Sequence, residues 1–275
     1  MKKRIRTVLN LLLILAFLFS IGMFARHQQE KAIGSSTYQE ALALAVSGKP
    51  AGLQAQTPAE QETTAQPRWA VAPLEEEDPH FRELEKLDLE ALREINPDVV
   101  GWIRIPDTVI DYPLMQGKDN DYYLNRTWDE QKNEVGSIFL EHVNRSDFTD
   151  YNTILYGHNM IDGSMFASLR RYQKQTYWEE HPYVYIRSDQ GVYRYEIFSS
   201  YLADVESNTY SLGFPSQETT ERFLDWLIGN SAICTGVTPE PTDRILTLST
   251  CSGKGHTTRW VVHARLKKIL EQPRL

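Results

Sequence analysis

The chain has 275 residues, of which 41% are hydrophobic and 24% charged, and its formal net charge is −8. That length supports one good core with accessories, and the composition is that of an ordinary soluble domain. The acidic balance, with no basic stripe to neutralise phosphates, argues against a nucleic-acid partner.

Lys2, Lys3, Arg4 and Arg6 precede an uncharged stretch from Thr7 to Ala25. As a helix this stretch is roughly 28 Å long, close to the hydrocarbon thickness of a bilayer. The basic flank keeps the N-terminus in the cytoplasm. A cleaved signal peptide is the competing reading, but the apolar run is long for one and Met23-Phe24-Ala25-Arg26 is a poor cleavage site. We therefore expect a cytoplasmic segment 1–6 and a single-pass transmembrane signal anchor, in contact with membrane lipid, over 7–25. Everything beyond it is extracytoplasmic.

Residues 26–78 read as a stalk. Ser47 to Pro73 is rich in Ala, Gln, Glu, Thr and Pro, and such a segment buries too little surface to offset its ordering entropy. Ser36 to Val46 has the pattern of a short helix with no evident packing partner. The folded domain spans 79–270, followed by a tail, 271–275. Phe81, Leu84 and Leu87, then Leu89, Leu92 and Ile95, recur at helical spacing. Asp78 with Pro79, and then Asp88, are suited to cap two short helices, which we read as a lid. Asn96-Pro97 ends them.

Eight β-like runs follow: Val99–Ile105, Val109–Met115, Ser137–Leu140, Thr153–Tyr156, Tyr183–Arg187, Val192–Ala203, Arg244–Thr250 and Thr258–Leu266. The first two form a hairpin around Pro106-Asp107. Short helices are expected at Asp119–Asn125, Ser164–Tyr172 and Ser216–Gly229; in the last, Phe223, Trp226 and Leu227 make the apolar stripe and Ser216 the cap. Many short strands with a few inserted helices imply a mainly β fold, a closed barrel.

The chemistry-bearing residues sit late in this pattern. In Thr247-Leu248-Ser249-Thr250-Cys251, alternation puts Ile245, Thr247, Ser249 and Cys251 on one face and Leu246 and Leu248 on the other. We read the leucine face as core and the hydroxyl face as a groove wall, with Thr247 and Ser249 as candidate substrate contacts. Core hydroxyls bonded to backbone are the alternative. A thiol attacks as thiolate, so Cys251 needs a cation or base nearby. Arg259 opens the next strand, and a hairpin brings it alongside Cys251, where a guanidinium can stabilise the thiolate and a developing oxyanion. An edge-strand surface arginine is the competing reading. Seven histidines compete for the role of base. His158 directly follows a strand, behind Gly157, a common place for active-site residues. Asn159 beside it either orients it or is a turn residue. Cys234, after the predicted third helix, is either a buried structural thiol or the partner of Cys251 in a disulfide. Neither cysteine has zinc-site spacing.

Thr247-Leu248-Ser249-Thr250-Cys251 with Arg259 eight residues on, and Tyr156-Gly157-His158 upstream, resemble the signature of sortases, membrane-anchored cysteine transpeptidases of Gram-positive bacteria. Asn96-Pro97-Asp98-Val99-Val100-Gly101-Trp102-Ile103, Ile110-Asp111-Tyr112-Pro113-Leu114 and Gly136-Ser137-Ile138-Phe139 add to it. The Asn-Pro-Asp entry, the N-terminal helices and the helix before the cysteine strand are most similar to class B. The resemblance spans roughly residues 80 to 270. It implies a closed eight-stranded β-barrel with Cys251 as nucleophile, His158 as general acid/base and Arg259 as stabilising cation. It implies cleavage of a C-terminal sorting signal on an exported protein after its threonine. A thioester is then resolved by an amine of a peptidoglycan precursor or a pilin. No cofactor or metal is implied. The loop Ser252-Gly253-Lys254-Gly255-His256 departs from the class by lacking acidic and aromatic residues. Two other readings stand beside this one. One is another extracytoplasmic Cys–His peptidase acting on cell wall; the other is a non-catalytic membrane-tethered β-domain stapled by Cys234–Cys251.

Overall fold

The computed structural model describes residues 2–48, 78–251 and 257–271, and for residues 2–12, His27, Lys31, Cys251 and Glu271 it describes the backbone alone. The eight expected strands all form: β1 Val99–Arg104, β2 Asp111–Met115, β3 Ile138–Leu140, β4 Asn152–Gly157, β5 Tyr183–Ser188, β6 Gly191–Asp204, β7 Ile245–Cys251 and β8 Thr258–Glu271. They close into a barrel in the order β1-β2-β3-β4-β7-β8-β6-β5, with β5 pairing back onto β1. Most neighbours are antiparallel; β2 with β3 and β4 with β7 run parallel. The expected first hairpin is present, with Arg104 opposite Asp111.

Helix α1 runs Lys2–Ser47, α2 Pro79–Glu85, α3 Leu89–Arg93, α4 Gln175–Glu180 and α5 Gln217–Gly229. The Asp78 carboxylate accepts from the backbone N–H of His80, with Pro79 in the first turn of α2; Asp88 accepts from that of Ala91 at the start of α3. These are the orphan donors that a capping carboxylate satisfies. Ser216 caps α5 through a reciprocal pair with Thr219. Two expected helices are tighter 3₁₀ turns, Tyr122–Asn125 and Ala167–Gln173. Ile95, expected on the apolar face, is exposed.

Two apolar clusters explain the layering. Leu246, Leu248 and Val262 belong to the large cluster that fills the barrel and continues under α2 and α3. Ile245, Val261, Phe198 and Tyr201 point the other way and are covered by Phe223, Leu224 and Leu227 of α5. From Ile245 to Thr250 strand β7 is therefore buried on both faces, inside the barrel and beneath a helix on its outer wall. Strand alternation holds, but the expected open groove on the hydroxyl face does not. Both Thr247 and Ser249 are buried.

Ser36 to Val46, expected to lack a packing partner, lies in the last third of α1 and is docked on the barrel. Tyr38, Ala41, Leu44 and Ala45 are buried. The indole N–H of Trp128 donates to the Thr37 carbonyl, the amide of Asn133 to that of Glu30, and the Asp88 backbone N–H to that of Ala45. Among the described residues no helix is long and apolar enough to cross a membrane. Side chains 7–12 of the expected anchor lie outside the described residues, as does stalk segment 49–77.

Candidate active site

The site is assembled by pairing register. Across the parallel pair, Gly157 of β4 stands opposite Thr250 of β7. One step further along each strand lie His158 and Cys251. Across the antiparallel pair, Cys251 stands opposite Arg259 of β8. Three neighbouring strands thus bring these backbone positions to one rim of the barrel, although His158 is far from the other two in sequence.

The imidazole of His158 is half-buried, and its Nε2 lies 2.6 Å from the carbonyl oxygen of Leu124. A carbonyl only accepts, so Nε2 carries a proton and Nδ1 is the nitrogen at which the charge state changes. Two glycines make room for this placement. At Gly136, φ is +61°, a region open to glycine; a Cβ there would stand 2.9 Å from the Cδ2 atom of His158 and 2.6 Å from the oxygen of Leu124. At Gly157 a Cβ would strike the ring of Phe166 at 2.8 Å. Behind the histidine, the Phe166 N–H donates to the His158 carbonyl and Asn159 forms a backbone bridge to Met165. Half-buried Asn159 is thus part of the tight loop that follows β4.

Arg259 is half-buried, and one of its guanidinium N–H groups donates to the Thr258 carbonyl at 3.0 Å. Its charge is felt at Tyr156 on β4, two residues before His158. Burial, then the Glu141 carboxylate, holds the Tyr156 phenol well above the ordinary tyrosine value, and Arg259 opposes that rise. The Tyr156 hydroxyl donates to Glu141 at 2.9 Å, as does the Asn120 amide at 2.8 Å; the ring of His142 lies 2.7 Å from the other carboxylate oxygen. Tyr210 stacks on Tyr156 and bonds the Ser249 hydroxyl at 3.0 Å. The sequence names Tyr156 only as part of the segment ending in His158, and it does not mark Glu141 or Tyr210 as neighbours of the site. Alternation along β4 puts Tyr156 on the face of His158, which is a usable signal. Glu141 and Tyr210 arrive from separate connections and leave no local trace.

The remaining candidates separate. The Thr247 hydroxyl is fully buried, as the core alternative had it, but its partners are the side chains of Asn152 and His263 and not backbone. Ser249 is buried against Tyr210. Cys234 is an exposed free thiol, so it is neither a buried structural group nor half of a staple with Cys251. The loop 252–256, including His256, lies outside the described residues. Among the described residues no group of three or more His, Cys, Asp or Glu side chains is placed to hold a metal ion.

A family model described as a sortase domain matches residues 103–267. The chain is 42% identical over 164 residues to Sortase B of Listeria monocytogenes, an overlap covering 60% of this chain and 67% of that one. It is 37% identical over 182 residues to Sortase B of Staphylococcus aureus, with 66% and 75% covered. Among solved structures, the Staphylococcus aureus sortase B–substrate complex superposes with a TM-score of 0.63 at 36% identity, covering 66% of this chain and 85% of that one. Clostridium perfringens sortase B superposes with a TM-score of 0.62 at 33% identity, covering 66% and 100%.

Proposed function

From the premise that the chain belongs to the sortase family and is a cysteine transpeptidase of class B, we propose that Cys251, His158 and Arg259 carry its chemistry. The observation that supports this most directly is the register that sets the three backbone positions side by side, His158 just past the end of β4, Cys251 on β7 and Arg259 on β8. In this reading the Cys251 thiolate attacks the carbonyl carbon of a threonine in a C-terminal sorting signal. The Arg259 guanidinium offsets the oxyanion charge that develops. His158, protonated at Nδ1, gives that proton to the leaving amide nitrogen as the C–N bond breaks and a thioester forms. An incoming amine then attacks the thioester, returns a proton to His158 and expels the thiolate. The bond to Leu124 keeps Nε2 protonated throughout, so one ring nitrogen serves both steps.

The donors are exported proteins, and the acceptor is an amine of a peptidoglycan precursor or a pilin. The relative from Staphylococcus aureus solved as a substrate complex supports substrate recognition by this type of domain. Residues 7–25 tether the enzyme to the membrane with the N-terminus cytoplasmic and the barrel outside, a reading supported by the uncharged run behind a basic flank. Asn159 is a candidate substrate contact from the loop after the histidine. Ser249 contributes to the same surface through Tyr210.

The test is a panel of sorting-signal peptides with an amine acceptor, read by product mass. Cys251→Ala is expected to abolish transfer with the melting temperature retained, and wild type to yield a trapped acyl hydroxamate with hydroxylamine. Full transfer by Cys251→Ala sinks the assignment.

A further inference from the structure

We propose that Tyr38, on helix α1, is a positioning residue for His158, so that the docked part of the N-terminal helix braces the histidine of the active site. Tyr38 is buried, and its hydroxyl donates to the carbonyl of Gly136 and lies 3.1 Å from the Ser137 hydroxyl. Burial pushes its ionisation far above the ordinary value, so it remains a donor at every working pH. Gly136 is the residue at which an added Cβ would press on both the edge of the His158 ring and the Leu124 carbonyl that binds its Nε2. Fixing the Gly136 carbonyl therefore fixes one wall of the imidazole slot.

The same side chain reaches the other wall. Its ring meets Tyr112 edge-to-face at 5.2 Å, and the Tyr112 hydroxyl accepts from the Met165 backbone N–H at 3.2 Å. Met165 bridges Asn159, and the next residue, Phe166, holds the His158 carbonyl. Two routes thus run from one tyrosine to the two flanks of the histidine. Around Tyr38 the helix is pinned to the loop that carries Gly136. Trp128 donates to the Thr37 carbonyl, the Thr37 hydroxyl donates to Asp129, and Gly34 sits against Val135. A helix tied down at so many points on one loop transmits its position to that loop, because close-packed interiors do not absorb strain locally.

The inference rests on reading His158 as the acid/base, and its test is chosen to fail separately from that reading. Tyr38→Phe keeps the ring on Tyr112 and removes only the hydroxyl. The readouts are the His158 imidazole titration, followed by NMR of histidine-labelled protein with His158→Gln for assignment, and steady-state transfer. Among the described residues, titratable and charged groups on the elements around His158 include Cys251 on β7, Arg259 on β8, Tyr156 on β4, Glu141 after β3, Tyr122, Tyr123 and Arg126 in and after the turn that carries Leu124, Glu134 before Gly136 and Asp162 in the loop after His158, and the substitution replaces none of them. The titration midpoint is expected to move by about half a pH unit or more. kcat is expected to fall roughly tenfold with KM within about twofold of wild type. Leu44→Ala, on the same helix where it meets α3, is the control. It is expected to lower the melting temperature and leave the titration in place. Should Tyr38→Phe not fold, Trp128→Phe loosens the same contact and is expected to move the same titration. An unmoved midpoint with unchanged kcat in the folded variant overturns the proposal. The titration reports the brace whatever role His158 has in turnover.

Discussion

Two histidines of this barrel each place a ring nitrogen on a neighbouring oxygen, and their surroundings differ. His158 lies just past the end of β4, half-buried, with Nε2 on a backbone carbonyl. His263 lies in the middle of β8, fully buried, with Nδ1 3.0 Å from the Thr247 hydroxyl. Thr247 has one proton, and it goes to Asn152 Oδ1, which only accepts. His263 must therefore be the Nδ1–H tautomer. Its Nε2 is buried with no hydrogen-bond partner among the described residues. Burial alone drives its pKa down to about 3. The comparison teaches that a histidine near the cysteine strand is not by that fact a proton carrier. In the fully buried middle of β8 the imidazole of His263 is locked neutral.

The largest effects expected from breaking this contrast come from removing each ring. His158→Ala should lower transfer by about a thousandfold, within the range of a lost general acid/base, while the melting temperature changes little. His263→Ala should do the reverse, costing on the order of 3 kcal/mol of stability through the cavity it opens, with kcat of the folded fraction close to wild type. Peptide-transfer kinetics and urea unfolding on both variants decide the matter. Loss of kcat in His263→Ala with retention in His158→Ala would invert the assignment.

A pH experiment sharpens it. In the unfolded chain His263 titrates near the ordinary histidine value of about 6.5, and in the folded protein near 3. Between those values the unfolded state binds the extra proton, so folding is favoured at higher pH. The contribution is complete above about pH 6.5 and is lost as pH falls towards 3, at about 1.4 kcal/mol per pH unit inside that window. Other groups titrate there as well, so the useful quantity is the stability difference between wild type and His263→Gln. It should shift against wild type by about 2 kcal/mol between pH 6.5 and pH 5. A constant difference would mean that the ring is protonated inside the fold.

How much of this was readable beforehand follows from which contacts are local. The placement of Arg259 opposite Cys251 follows from a hairpin with a short connection, and strand patterning located all eight strands. His158 is different. Its strand meets β7 in a parallel pair formed across β5, β6 and α5, a juxtaposition no spacing rule supplies; the family resemblance did. The docking of α1 left no signal either, since Tyr38, Ala41, Leu44 and Ala45 make an unremarkable stripe and their partners lie in a distant loop and α3. Cys234 was placed inside on its general tendency to be buried, whereas its backbone is held by the Gln175 side chain on the surface, leaving the thiol exposed.

Thr247 supplies the smallest and most discriminating test, because alternation was right about its face and silent about what covers that face. If it lined an open groove, Thr247→Val would raise KM and spare stability. The structure instead buries it between two polar partners, the Nδ1–H of His263 and Oδ1 of Asn152. Asn152 in turn donates to the carbonyls of Thr209 and Ser211, on either side of Tyr210. Valine fills the same volume, so no cavity term arises, but it strands a buried donor and a buried acceptor. That costs about 1–3 kcal/mol, and the melting temperature should fall accordingly. KM should stay within about twofold, since Tyr210 keeps its bond to Ser249 and its stacking on Tyr156. A rise in KM without loss of stability would return Thr247 to the groove, and with it the hydroxyl face of β7.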